Sequence, residues 1–190
     1  MFHNRRAIRQ YNNRPQQPQP QPQPQPHPII QQPIQQKREE IDWGEPIWTL
    51  LHTLSCKIRE EYFAIKKEEL LQNVVRICTN LPCPTCSNHA REYLNQYLNL
   101  QYIRTKEDLK NFFFHFHQMV NIRKHYALYN RENLEADYQQ KSTVDVFNRF
   151  YVAYLKNYQL ERDMVNSMFR RSVAILVKDW FKNNLYIFEP

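Results

Sequence analysis

Past residue 41, apolar residues recur three and four positions apart and strict alternation is scarce, the signature of amphipathic helices rather than strands. The first predicted helix opens at Asp42, an N-cap residue with Glu45 in capping-box register, and it tolerates Pro46 in its opening turn. Its apolar stripe is Trp43, Ile47, Leu50, Leu51, Leu54 and Ile58. A second helix runs from Glu68 to Asn80 with Leu70, Leu71, Val74, Val75 and Cys78 on one side, and Pro82 closes it. The third spans Pro84 to Leu98. The fourth begins near Thr105, with Glu107 and Asp108 in its first turn and Leu109, Phe112, Phe113, Phe116 and Val120 as its apolar face. After a polar stretch beyond Tyr126, aromatic helical segments follow at Thr143 to Asn157 and Glu161 to Asn183. Four short helices with brief connections predict an all-α fold, a four-helix bundle, followed by an additional C-terminal helical region from residue 141 to 190.

The N-terminal residues break this pattern. From Arg14 to Gln36 the chain is almost wholly Pro and Gln, with Ile29, Ile30 and Ile34 as its only aliphatics, so it has nothing with which to build a core. Residues 1–38 are therefore expected to be a disordered basic arm, a polyproline-like spacer, with the folded chain beginning at residue 39. This division changes the meaning of the formal net charge of +7. Arg5, Arg6, Arg9, Arg14, Lys37 and Arg38 stand in the arm without a single acid, a charge of +6, which leaves +1 for residues 39–190. A nearly neutral folded part lacks the continuous basic face that phosphate tracking needs, so nucleic acid is not an expected partner.

With 190 residues and 42% hydrophobic positions, the chain supports one globular domain. Its single glycine, Gly44, excludes glycine-rich phosphate loops, dinucleotide fingerprints and nucleophile elbows. No apolar run is long enough to span a membrane, and no apolar signal core follows the N-terminus, so a soluble intracellular protein is expected.

Candidate chemistry concentrates in the four cysteines, Cys56, Cys78, Cys83 and Cys86. The last two form Cys83-Pro84-Thr85-Cys86. Proline suits the first helical position, so Cys83 becomes an N-cap and Cys86 falls in the first turn, where unpaired backbone N–H groups favour thiolate. Two thiols so placed can exchange disulfides. The spacing Cys78-x4-Cys83-x2-Cys86-x2-His89 also offers a zinc ligand set, although it matches no common finger. A third reading keeps the cysteines reduced and buried. Spacing alone does not choose among the three. A thioredoxin fold would need strands around the motif, and none is predicted there.

Three further stretches surround the CxxC in fixed order: Trp43-Gly44-Glu45-Pro46-Ile47-Trp48-Thr49-Leu50-Leu51-His52 before it, His89 just after it, and His117-Gln118-Met119-Val120-Asn121-Ile122-Arg123-Lys124 beyond. The set WGxxxWxxLH, CPxC, HxxVN resembles the Erv/ALR family of FAD-linked sulfhydryl oxidases, its short viral members most of all. The resemblance covers residues 42 to 138, with Leu128 to Tyr138 similar to the family's short fifth helix. It implies that residues 39–140 form an FAD-binding sulfhydryl oxidase domain, that no metal takes part, and that the missing glycines are no obstacle. Such proteins hold the flavin in the mouth of a four-helix bundle by side chains.

By that resemblance Trp43, Gly44, Trp48 and His52 line the flavin, His117 and Asn121 share one helix face toward adenine or ribose, Arg123 and Lys124 lie near the pyrophosphate, and Tyr93 and His89 border the CxxC. Cys86 is implied to be the sulfur nearest the isoalloxazine and Cys83 the outward sulfur that meets substrate. Electrons would then pass from substrate thiols through the CxxC to FAD and on to oxygen, giving one disulfide and hydrogen peroxide. Implied partners are a CxxC-containing, thioredoxin-like substrate protein, oxygen and a second copy in a homodimer. The implied setting is virus-encoded, in host cytoplasm or virion. Two departures from cellular members stand out. Phe113 and Phe114 replace half of a structural disulfide, and the N-terminal arm carries no shuttle CxxC. Cys56 and Cys78 are expected to be buried thiols. The rival reading is a non-enzymatic, zinc-stapled helical interaction module with a basic arm.

Overall fold

The computed structural model describes residues 43–156 and 164–190. The Pro/Gln-rich segment and the expected cap at Asp42 lie outside these residues. Seven helices follow in order: α1 (Gly44–Lys57), α2 (Glu60–Cys78), α3 (Pro84–Tyr97), α4 (Lys106–Lys124), α5 (Leu134–Tyr138), α6 (Thr143–Leu155) and α7 (Met164–Asn183). Short 3-10 turns stand at Arg131–Asn133 and Leu185–Ile187. Among the described residues the only β-type pairing is an isolated antiparallel bridge between Ile58 and Phe188. The fold is all-α, as the spacing of apolar residues predicts.

The helix ends follow local chemistry. Thr105 caps α4 by accepting from the Asp108 backbone N–H at 3.1 Å, and the Asp108 carboxylate accepts from the Thr105 N–H at 2.8 Å, a complete capping box. At the other end His125 turns into the left-handed region at φ 56°, and the Tyr126 N–H reaches back to the Asn121 carbonyl at 2.9 Å. Ser142 caps α6 through the Asp145 N–H. At α1, Glu45 instead accepts from the Thr49 hydroxyl at 2.9 Å and pairs with Arg149 of α6 at 2.6 Å.

Two boundaries differ from expectation. Helix α2 starts at Glu60 rather than Glu68, because Phe63 is fully buried and, with Tyr62 packed against the core, anchors two extra turns. Helix α1 is not striped. Besides the expected Ile47, Leu50, Leu51, Leu54 and Ile58, it buries Thr49, His52, Thr53, Ser55, Cys56 and Lys57, so every side of its C-terminal half is covered. Its most extensive neighbours are α6 on one side and α4 on another.

Residues 141–190 thus supply part of the core around α1. Phe147, Phe150 and Tyr154 of α6 belong to the same buried cluster as Leu50, Leu54 and Leu70, and Phe181 of α7 stacks on Phe147 with centroids 4.0 Å apart. Lys57, itself buried, donates to the Lys141 carbonyl at 2.8 Å and to the Pro190 carbonyl, which fixes the last residues beside the α1–α2 junction. Arg59 N–H to the Ile187 carbonyl and Glu189 N–H to the Lys57 carbonyl, each 2.8 Å, complete that strap.

Candidate active site

The CxxC sits where α3 begins. Cys83 is the N-cap, Pro84 takes the first helical position, and the Cys86 backbone N–H points at Cys83 Sγ at 3.2 Å. The two cysteines are joined as a disulfide, their Cα atoms 5.2 Å apart. Cys56 and Cys78 are free and buried. Burial pushes the Cys78 thiol up to about 12 and, with help from Glu135, the Cys56 thiol up to about 11, so neither offers a thiolate near neutrality. Only the CxxC carries thiol chemistry of the exchangeable kind.

Cys86 faces a cleft between α1, α3 and α4. Trp43, Gly44, Ile47, Trp48 and Leu51 form one wall, Cys78, Leu81, His89 and Ala90 flank Cys86, and Phe116, Val120, Arg123 and Lys124 come from α4. The lining is apolar and aromatic apart from one disulfide sulfur, one imidazole and two cations. Lys124 Nζ lies 5.9 Å from the Trp43 ring centroid, a cation over an aromatic face. Gly44 does not use a positive φ, so it contributes backbone without side chain to the wall rather than conformational freedom.

A layer of aromatic rings lies behind Trp48. His117 stacks on it with centroids 4.2 Å apart and planes within 7°, Phe116 meets it edge-on at 5.1 Å, and Tyr93 stacks on Phe116 at 4.4 Å. His52 Nε2 and His117 Nδ1 are 3.0 Å apart, one donating and the other accepting. Burial holds both imidazoles neutral. It lowers His52 to about 3, assisted by His117 and Arg131, and His117 to about 4. The remaining His52 nitrogen, Nδ1, is buried and has no hydrogen-bond partner among the described residues.

Trp43, Gly44, Trp48, Cys86, Arg123 and Lys124 therefore meet in one cleft, with His52 and His117 one ring deeper and Tyr93 reached through Phe116. Cys83 is not part of the lining. Asn121 is buried on α4 one turn beyond His117, and it too stands outside the lining. Sequence reasoning placed Ile47, Leu51, Phe116 and Val120 in the core without seeing them as cleft walls. The available signal was helical phase, since Phe116, Val120, Arg123 and Lys124 follow one another at four, three and one residues on α4. Tyr138, whose ring lies 4.9 Å from His52, was also missed. The zinc set is not assembled: among the described residues no group of three or more His, Cys, Asp or Glu side chains could hold a metal.

A helical bundle that opens a disulfide onto an aromatic cleft defines a redox class of protein rather than a metal-stapled one. The model of the Erv1/Alr family matches residues 45–140, just over half of the chain, and the chain belongs to that family. Among curated proteins, the FAD-linked sulfhydryl oxidases of two isolates of African swine fever virus are each 27% identical over 100 residues, which is 53% of this chain and 82% of theirs. A protein of Invertebrate iridescent virus 3 is 27% identical over 81 residues, 43% of this chain and 55% of its own. No solved structure matches the chain. No described helix is long and apolar enough to cross a membrane.

Proposed function

We propose that this protein is a flavin-linked thiol oxidase that makes disulfide bonds in other proteins. The observation that carries the reading is the Cys83–Cys86 disulfide at a helix N-terminus with Cys86 facing an apolar cleft whose far wall ends in Arg123 and Lys124. That cleft fits FAD by its donor set. Trp43, Trp48 and Phe116 suit the flat tricycle, and the two cations suit a pyrophosphate. Its viral relatives carry the name FAD-linked sulfhydryl oxidase, which agrees with this assignment.

A substrate thiolate attacks Cys83 Sγ, the Cys83–Cys86 bond breaks, and Cys86 leaves as thiolate. The substrate's second thiolate attacks the substrate sulfur of the mixed disulfide, so the substrate disulfide forms and Cys83 is released. The Cys86 N–H aimed at Cys83 Sγ and the unpaired N–H groups of the first turn of α3 stabilise that leaving thiolate. FAD held by Trp43, Trp48, Arg123 and Lys124 would supply the redox chemistry by which the two electrons of the reduced Cys83/Cys86 pair reach oxygen as hydrogen peroxide. Two thiols and one oxygen molecule thereby become one disulfide and one peroxide. Neutral His52 and His117 orient Trp48 and shed no proton into the cleft. On this reading Asn121 supports the adenine or ribose end, Tyr93 backs the CxxC, the substrate is a CxxC-bearing protein, and the enzyme works as a homodimer in host cytoplasm or virion.

The test is the visible spectrum of the purified protein before and after denaturation, with oxygen uptake on a reduced dithiol. Stoichiometric FAD released on unfolding, with uptake matched by thiol loss, is the expected result. A colourless protein that consumes no oxygen when supplied with FAD overturns the proposal.

A further inference from the structure

Reduction of the Cys83–Cys86 disulfide moves protons as well as electrons. Two substrate thiols become one disulfide, so their two protons must rest on the enzyme while Cys83 and Cys86 hold the two electrons. One rests on Cys83. For the other the cleft that Cys86 faces offers few acceptors. No carboxylate lines it among the described residues, and α1 contributes no titratable side chain to its wall. Cys78, from α2, is pushed up to about 12 by burial and keeps its own proton. Burial likewise pushes Tyr93 of α3 up to about 12. Arg123 and Lys124 of α4 are already charged, and His52 and His117, behind the wall, face each other nitrogen to nitrogen. The acceptor left in the lining is His89.

His89 stands three residues after Cys86 on α3, and both side chains line the same cleft. At that spacing the Cβ atoms of a helix lie about 5–6 Å apart, which brings an imidazole within reach of a sulfur. The His89 ring is half-buried and takes part in no hydrogen bond, ion pair or ring contact among the described residues. We propose that His89 takes up the second proton when the disulfide is reduced, so that Cys86 and His89 stand in the cleft as a thiolate–imidazolium pair. This inference rests on the thiol-oxidase reading above and adds a proton-holding residue to it. The surroundings make the charge conditional on redox state. Arg123, Lys124 and the N–H groups of the first turn of α3 repel a lone imidazolium, whereas a Cys86 thiolate one turn away supplies the opposite charge. Neighbouring charges on α3 do not replace it. Glu92 is exposed and outside the lining, and Arg91 donates to Asn88 Oδ1 at 2.8 Å and to the Thr79 carbonyl at 3.3 Å. On reoxidation two electrons leave and the Cys83–Cys86 bond re-forms. Cys83 sheds one proton and His89 the other, the two that peroxide needs.

The test uses the full chain as purified, with Cys83→Ser standing for the reduced pair because it leaves Cys86 without its partner. NMR of the labelled His89 ring near neutral pH is expected to find it neutral in the wild-type disulfide and protonated in Cys83→Ser. A ring of the same charge in both overturns the proposal. The second readout is the ultraviolet thiolate absorbance of Cys83→Ser minus that of Cys83→Ser/Cys86→Ser, followed against pH, in which Cys56 and Cys78 subtract out. Adding His89→Asn to both proteins should raise the midpoint of Cys86 by about one pH unit or more, about tenfold less thiolate below it. An unmoved midpoint also overturns the pair. If His89→Asn fails to fold, the NMR measurement decides. Neither readout needs flavin or oxygen. A protein that consumes no oxygen yet shows the charge change loses the oxidase reading and keeps the pair, and an active oxidase without the charge change loses the pair alone.

Discussion

His117 on α4 lies flat against Trp48 on α1, ring centroids 4.2 Å apart, while its Nδ1 meets His52 Nε2 at 3.0 Å. Three side chains from two helices are thus locked into one stack, and the lock requires uncharged imidazoles, since two imidazolium rings at that distance repel and neither nitrogen could accept.

Acid should therefore loosen the site before it reaches most carboxylates. Burial lowers His52 to about 3 and His117 to about 4, against roughly 6.5 in an unfolded chain. Between those values the unfolded state binds more protons than the folded one, so the stabilisation is complete above pH 6.5 and drains away as pH falls toward 4. The slope approaches ~1.4 kcal/mol per pH unit for each histidine. Glu69 and Asp108, whose carboxyls are held below their ordinary values, act at lower pH. Urea midpoints measured from pH 7.5 to 4.5 should fall steadily for the wild type and far less for His52→Asn/His117→Asn. Parallel slopes in the two proteins would show that the pair carries no such linkage.

Cys83→Ser and Cys86→Ser should each remove all turnover, because either change destroys the exchangeable disulfide. They should differ spectroscopically. With Cys83 gone, the remaining Cys86 thiolate faces the cleft and perturbs the absorption of bound flavin; with Cys86 gone, Cys83 stands outside the lining and the flavin bands stay as in the oxidised enzyme. Full oxidase activity in Cys86→Ser would sink the mechanism.

The Tyr154 hydroxyl, at the far end of α6, donates within reach of the Asn80 carbonyl at 2.9 Å and the Ile77 carbonyl at 3.3 Å. It closes the C-terminal end of α2 just before the CxxC loop. The Ile77 carbonyl also accepts from the Asn80 N–H, so the Asn80 carbonyl depends most on this hydroxyl. Tyr154→Phe should cost about 0.5–1.5 kcal/mol, the net worth of one hydrogen bond to a half-buried acceptor. Chemical denaturation would read that loss, and an unchanged midpoint would show that water replaces the hydroxyl.

What the sequence made legible, and what it hid, follows from where each helix finds its partners. Helices α3 and α4 read correctly because their ends carry local signals, Pro84 after Cys83 and the Thr105–Asp108 box, that need no tertiary contact. The start of α2 was hidden because among residues 60–67 only Phe63 is fully buried, while Ile65 stands 72% exposed and Glu60, Glu61, Lys66 and Lys67 are charged. The polar half of α1 misled for the opposite reason. Thr49, Thr53 and Ser55 stand off the apolar stripe, yet they are buried in a helix whose neighbours α4, α5 and α6 are distant in sequence, and no local pattern encodes such a partner. In the site, the aromatic and cysteine positions were readable through the motif resemblance, whereas the cleft walls Ile47, Leu51 and Phe116 were indistinguishable from ordinary core.

The same long-range cover ties α6 and α7 to the helix that carries the cleft's Trp48, although among the described residues none beyond Lys124 lines that cleft. Phe150 is fully buried, its ring 5.8 Å from Phe147 and 5.2 Å from Tyr154, in the cluster that holds α6 against α1. Truncation to alanine removes that contact area and leaves a cavity, a loss of about 3–5 kcal/mol. Helix α1 carries Trp48 and His52, so its loosening should reach the cleft although Phe150 is not part of the lining. Phe150→Ala should therefore lower the thermal midpoint and the fraction of protein that retains flavin in parallel, while Val152→Ala, 58% exposed on the same helix, changes neither. Flavin retained in full despite a lowered midpoint would mean that α1 keeps its place without α6, and that the C-terminal helices stabilise the chain without shaping its site.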